Sequence, residues 1–193
     1  MKLLLHICCG PCAVYPVGVL REGGHEVRGF FFNPNIHPYQ EFARRVAAVE
    51  EFARHAGLPV IWNRGYDLEG WLRMVAFREG ERCRLCYYLR LRQAARVARG
   101  GKFEAFTTTL LYSKYQRHEL IRELGEQVAR EVGLPFYYQD FREGWAAGVE
   151  ESRALGLYRQ AYCGCIFSER DRFAPKGGSN SQAGPAEEVQ GQG

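Results

Sequence analysis

No apolar run in the 193-residue chain approaches the roughly 20 residues that span a bilayer. The first apolar stretch, residues 3–7, is too short for the hydrophobic part of a secretion signal, and no small-residue cleavage site suits it. Both absences lead us to expect a cytoplasmic protein without a membrane partner. Also missing are G-x-G-x-x-G and G-x-x-x-x-G-K-S/T, the turns that bring backbone N–H groups onto nucleotide phosphates. No Ser-Gly-Gly loop follows the first apolar run, where an ATP pyrophosphatase of similar layout would carry one; "CCGPC" stands there instead. The five histidines, at 6, 25, 37, 55 and 118, form no H-E-x-x-H pair, and each suits a surface or core position better than a metal site.

What is present fits one domain. Hydrophobic residues make up 46% of the chain and aromatics 13%, enough for a single buried core. From residue 174 the composition turns to Gly, Ser, Gln, Pro and Ala, which cannot bury a core. We expect a catalytic domain over 1–173 and a disordered tail over 174–193. Strands are predicted at 2–7, 26–32, 58–62 and 103–109, with a fifth strand or extended segment at 135–141. Helices are predicted at 13–20, 40–56, 68–77, 85–99 and 114–132. In the second of these, Phe42, Val46, Val49, Ala53 and Ala56 recur at spacings of four and three. Strands alternating with helices predict an α/β fold: a parallel sheet with helices on both faces. Ligands in such sheets bind beyond the carboxyl ends of the strands.

The net charge of +4 says little, but residues 78–102 hold seven Arg and one Lys against two Glu. A solvated helix face accounts for this as well as a phosphate-contacting surface does.

Seven cysteines fall into three groups: Cys8, Cys9 and Cys12; Cys83 and Cys86; Cys163 and Cys165. In a reducing compartment such clusters point to metal binding or catalysis rather than structural disulfides. Cys9–Cys12 and Cys83–Cys86 have C-x-x-C spacing, which lets two sulfurs approach one metal. Three chemistries compete. A thioredoxin-like dithiol uses only Cys9 and Cys12, and lacks the preceding Trp and the chain ahead of its strand. A structural zinc site takes four thiolates and leaves three over. An iron–sulfur site takes four and leaves three for a second metal or redox work. Spacing alone does not separate iron from zinc.

Six segments in order carry a resemblance to one family: "LHICCGPC" at 5–12, "FFFNPNIHPYQEF" at 30–42, "REGERCRLCYYLRL" at 78–91, "FTTTLLYSKYQ" at 106–116, "FYYQDFREGW" at 136–145 and "YRQAYCGCIFS" at 158–168. Together they resemble the cobalamin-independent epoxyqueuosine reductases, the QueH family. The resemblance implies a Rossmann-like, nucleotide alpha-hydrolase-like fold. It also implies an oxidoreductase that converts the epoxide of epoxyqueuosine in tRNA to the alkene of queuosine. The cofactors it implies are a 4Fe–4S cluster and a nearby iron ion, fed by an external electron donor.

On that reading the metal ligands are Cys8, Cys9, Cys12, Cys83, Cys86, Cys163 and Cys165. Adjacent side chains usually diverge, so Cys8, Cys83, Cys86 and one of Cys163 or Cys165 are assigned to the cluster. Cys9, Cys12 and the remaining thiol are assigned to the single iron. Asp140 is expected as a carboxylate ligand or proton donor and, with Cys12, as catalytic. Asp67 is an alternative that serves equally well as a helix N-cap. Tyr112, Ser113, Lys114, Tyr115 and Arg142 are expected to bind the substrate, and Arg90, Arg92 and Arg96 to meet its phosphates. A tRNA sulfur-transferase and a zinc-dependent RNA-binding module are the alternatives; the absent phosphate loop argues against the first.

Overall fold

In a computed structural model of the chain, residues 1–175 are described; the tail expected from 174 lies, from 176 onward, outside the described residues. Four parallel strands, β1 (Lys2–Ile7), β2 (Glu26–Phe31), β3 (Val60–Trp62) and β4 (Ala105–Thr108), form one sheet in the order β3-β2-β1-β4. Leu3, Leu4, Leu5 and Ile7 of β1 are wholly buried. A strand flanked by partners and covered on both faces is apolar throughout rather than alternately.

Among the described residues seven helices accompany the sheet: α1 (Gly10–Glu22), α2 (Tyr39–His55), α3 (Leu68–Val75), α4 (Arg82–Gly100), α5 (His118–Val132), α6 (Trp145–Ala154) and α7 (Ile166–Phe173). From β1 the chain steps outward through α1, β2 and α2 to β3, then returns past β1 to β4. Right-handed crossovers in opposite directions place α1 and α2 on one face and α4 on the other. Accordingly α1 packs on α2 and α6, while α4 packs on α5, β1 and β4. This is the single-domain, Rossmann-like α/β arrangement the sequence predicts. Because the chain leaves β1 and β4 toward opposite faces, a crevice opens between their carboxyl ends, the usual ligand position in such sheets. Cys8 and Cys9 follow β1 there, and Thr109 follows β4.

Several boundaries differ from expectation. Gly10 and Pro11 open α1 rather than preceding it, because proline in the first turn lacks only an N–H that has no intrahelical partner. Segment 135–141 forms no strand; Phe136 makes one parallel bridge to Phe106. The helix expected from 114 begins at His118, since Thr109–Tyr112 form a 3-10 turn first. Neither α6 nor α7 is foreseen by periodicity. The first buries only Gly148 and Ser152 and the second buries no residue, so neither carries an apolar stripe.

The start of α1 lies hard against α2. A Cβ on Gly10 would stand 2.5 Å from the Ala48 carbonyl oxygen, whereas one on Gly18 of the same helix would meet nothing within 4 Å. Gly10→Ala should therefore lower stability by about 1–3 kcal/mol through overpacking. Gly18→Ala should raise it by about 0.5–1 kcal/mol through helix propensity. Urea unfolding midpoints shifting in opposite directions would bear this out; a neutral Gly10→Ala would show that the two helices can part without cost.

Candidate metal centre

β1 ends at Ile7, and the chain bends at once into α1. Cys9 is the N-cap of that helix, with extended backbone (φ −166°, ψ 160°), and Cys12 sits in its first turn. The bend gathers the sulfurs of Cys8, Cys9 and Cys12 within 4.8 Å of one another, with Cys8 and Cys9 Sγ 3.8 Å apart. The expected divergence of Cys8 from Cys9 is thus corrected. It holds for neighbours inside a strand, and this pair straddles a strand end.

Thr109, in the turn just past β4, fixes Cys8. Its Oγ1 accepts from the Cys8 N–H at 3.1 Å and donates to Cys8 Sγ at 3.3 Å. From the opposite side Gln160 Nε2 donates to Cys9 Sγ at 3.0 Å and to Cys12 Sγ at 3.7 Å. Hydrogen bonds from Cys12 and Cys9 hold Cys8 well below the ordinary thiol range. Burial pushes Cys9 up to about 12. The bonds to Cys8 and Cys9, with burial, raise Cys12. Of the three, Cys8 is therefore the thiol that ionises most readily.

Cys83 and Cys86 stand in the first turns of α4, and Cys163 and Cys165 in the loop before α7. Cys163 acts on each of the other three. Burial and then the charge of Cys163 raise Cys83. Burial pushes Cys86 up to about 12, with Cys163 and Cys165 adding to it and Arg90 opposing. Burial raises Cys165 as well, and Cys163 contributes. All seven cysteines are free, and Cys163 is the exposed one.

Two buried guanidiniums flank the thiols. Arg45 donates from Nε to Glu41 Oε1 at 2.7 Å, and from Nη1 and Nη2 to the carbonyls of Cys163 and Tyr162 at 2.9 and 2.8 Å. The 160–165 loop is pinned further by the His37 N–H donating to Gly164 O and by Tyr162 OH donating to His37 O. Arg90 is 4% exposed; its Nη1 donates to Cys86 Sγ at 3.3 Å and its Nε lies 3.5 Å from His6 Nε2. Burial works against the Arg90 charge, but Cys86 and Cys8 outweigh it and hold it charged. His6 is neutral, its pKa driven by burial and then by Arg90 to about 3. Its Nδ1 joins Thr108 Oγ1 at 2.9 Å, tying β1 to β4.

The other expected site residues are placed variously. Arg90 is corrected: it is buried against a thiol and offers nothing to a phosphate. Arg92 is half-buried and Arg96 exposed; with Arg99 and Glu131 they line a surface depression of about 430 Å³. Tyr112 is also corrected as a stacking surface. It is buried, its OH donates to Trp145 O at 3.1 Å, and its ring stacks on Trp145 at 5.1 Å. Tyr115 is 85% exposed and meets the same Trp145 edge-on. Ser113 Oγ accepts from the Tyr115 N–H, and Lys114 is exposed. Asp140 caps the Phe141–Gly144 turn and takes Arg142 Nε and Nη2 on its carboxylate at 2.9 and 2.6 Å. Those bonds hold its carboxyl down at about 2, which removes it as a proton donor and commits Arg142 to it. Asp67 caps α3 by accepting from Gly70 N–H.

The clustered thiols of Cys8, Cys9 and Cys12, with the unpartnered buried Gln160 Oε1 beside them, make a donor set suited to a thiophilic metal. A family model described as "Epoxyqueuosine reductase QueH" matches residues 3–171. The chain belongs to the QueH family. A protein named epoxyqueuosine reductase QueH from Dehalococcoides mccartyi is 36% identical over 89% of this chain and 94% of its own length. Those of Thermotoga maritima and Haemophilus influenzae are 35% and 34% identical, each over 88% of this chain and over 91% and 72% of their own lengths.

Four residues of this QueH chain that bear on the thiols escape sequence reasoning: Thr109, Gln160, Arg45 and, in its buried role, Arg90. Arg90 falls on the buried stripe of α4, and Arg45 also left a signal. It lies three residues after Phe42 and four before Val49 on the apolar stripe of α2, with Glu41 one turn earlier.

The charge states make metal uptake measurable, because thiols deprotonate on binding. At a fixed pH, Cys8→Ser should weaken Co²⁺ binding and lower the proton release by less than Cys9→Ser does, because Cys8 is the thiol shifted down and the other two are shifted up. Calorimetry in buffers of different ionisation enthalpy gives the count; equal losses for the two variants would refute this order.

Proposed function

We propose that the chain reduces epoxyqueuosine in tRNA to queuosine at the thiol-lined crevice between β1 and β4. The observation that carries this reading is the gathering of cysteines at that crevice within the span matched by the QueH family. The family makes the chain an oxidoreductase; the iron–sulfur cluster, the iron and the tRNA contacts are our reading of its residues.

In the reaction both C–O bonds of the epoxide break, a C=C bond forms, and the oxygen leaves as water. Two electrons come from an external donor and two protons from the medium. When bound, iron would supply Lewis acidity toward the epoxide oxygen and an iron–sulfur cluster would supply electrons. The chain's own residues supply the setting. Cys8, Cys9 and Cys12 face the crevice from α1, and Cys83, Cys86, Cys163 and Cys165 complete the ligand set. Cys8 lies within 4.8 Å of Cys9 and Cys12 and feels the charge of Arg90, which donates to Cys86. Asp140 acts as an ionised carboxylate; the turn it caps packs against the Thr109–Tyr112 turn and α1. Lys114 and Tyr115 meet the tRNA at the crevice mouth, with Tyr115 as the stacking ring, and Arg92 and Arg96 meet its phosphates farther along α4.

Removing one sulfur of the triad tests the reading directly. Cys12→Ala should lower epoxide reduction by about 10- to 100-fold or more, as loss of a metal-site partner does, and reduce iron per chain while sulfide is retained. Full iron occupancy with full activity would make Cys12 a bystander.

The tRNA face has its own test. Replacing Arg92 and Arg96 together with Ala should flatten the salt dependence of tRNA binding by roughly one to two contacts' worth. Tyr115→Ala should weaken binding by the about 1–3 kcal/mol of one stacked base, with a slope near that of the parent. Affinities unchanged across a salt series would show that both faces are merely solvated.

A further inference from the structure

Among the described residues the buried arginines are Arg45 and Arg90. Their surroundings differ in kind. Arg45 has a carboxylate, Glu41, at 2.7 Å, so its charge is neutralised locally and its remaining N–H groups hold the 160–165 loop. Arg90 has no carboxylate within ion-pair distance among the described residues. A lone cation in an apolar interior is strongly unfavourable unless something of opposite charge faces it. Here a cysteine sulfur faces it, which carries negative charge once it binds a metal. Cys86 and Arg90 are one turn apart on α4, which puts them on one side of the helix. Nη1 donates to Cys86 Sγ at 3.3 Å. On its other side Arg90 Nε lies 3.5 Å from His6 Nε2.

We propose that Arg90 is the fixed counter-charge of the thiol site and holds up the reduction potential of the metal group bound through Cys86 and its neighbours. The proposal rests on the iron–sulfur reading above. Reduction adds negative charge to a thiolate-bound group, and a buried cation beside a ligand sulfur favours the more negative state. Hydrogen bonds to ligand sulfur act in the same direction. Removing the charge should therefore make the group harder to reduce. Arg90 touches no substrate on this account; it acts through Cys86.

The test is EPR-monitored redox titration of protein purified without oxygen, with iron and sulfide measured on each sample. Arg90→Gln keeps a donor and removes the charge; Arg90→Lys keeps the charge and removes the planar fork. In a loaded Arg90→Gln variant the one-electron reduction constant should fall about tenfold or more, a shift of about −59 mV. Arg90→Lys should stay within about threefold of the parent. A loaded Arg90→Gln protein at the parent potential overturns the proposal. If Arg90→Gln fails to load, Arg90→Lys decides. Loading at the parent potential supports the proposal, whereas a lowered potential or failure to load overturns it, since a retained charge then does nothing for the group. Parent protein that binds no iron or sulfide would defeat the cluster reading itself, and this inference with it; a loaded parent with unshifted variants defeats only the role of Arg90.

Discussion

Thiolate charge gathered in a buried crevice has to be balanced from inside the fold, and the arrangement of helices meets that requirement. Cys9 is the N-cap of α1, Cys83 lies in the first turn of α4, and Cys165 is the N-cap of α7. Each thiol group thus sits at a helix N-terminus, where unpaired N–H groups and the helix dipole favour the negative charge that metal-bound sulfur carries. The dipoles act only over the first turn. Beyond their reach the two guanidiniums take over, Arg90 beside Cys86 and Arg45 beneath the 160–165 loop. A sheet with helices on one face could not supply this, since α1 and α4 approach the crevice from opposite sides.

The same constraint explains why the last cysteines sit so far along the chain. Cys163 and Cys165 belong to no strand, and α7 buries nothing that would hold them. Their placement comes from α2 and the loop after β2. Glu41 accepts from Tyr158 OH at 2.5 Å and from Arg45 at 2.7 Å, and Arg45 grips two carbonyls of the loop. Gly164, at φ 113°, lets the loop lie against Ile36 and Arg45, which a side chain there would strike. The segments 30–42 and 158–168 are thus two halves of one clamp.

The fold was legible because its signals are local. An all-apolar β1 and the stripe of α2 state their roles in consecutive residues. The grouping of cysteines was legible as chemistry but not as geometry. Cys8 and Cys9 were separated by a strand rule that ceases to apply where the strand ends. Arg90 was read as surface because it lies in a segment of seven arginines, and composition does not reveal which of them points inward. Periodicity does carry that information: Tyr87, Leu91, Ala94 and Ala98 form the buried stripe of α4, and Arg90 falls on it between Cys86 and Ala94. Thr109 and Gln160 left no signal, because each reaches its sulfur across the sheet crevice from a distant segment.

The aromatic residues above the crevice are linked in a way that single-residue roles do not capture. Exposed Tyr115 rests edge-on against Trp145, Trp145 stacks on buried Tyr112, and Tyr112 stacks on Tyr15 at 6.3 Å. The inner end lies near the thiols: burial, with the charges of Cys12 and Cys9, pushes the Tyr112 phenol up to about 12. Gly148 makes the column possible, for a Cβ there would stand 2.5 Å from Tyr112 Oη, and one on Gly144 would strike the Tyr15 ring. Tyr112 is therefore a support rather than a contact. Rings packed this closely leave little freedom to tilt, so the position of the outermost face follows from that of α1, the helix that carries Cys9 and Cys12. A base stacked on Tyr115 would thereby be located with respect to the thiols by packing alone, without a hydrogen bond to either.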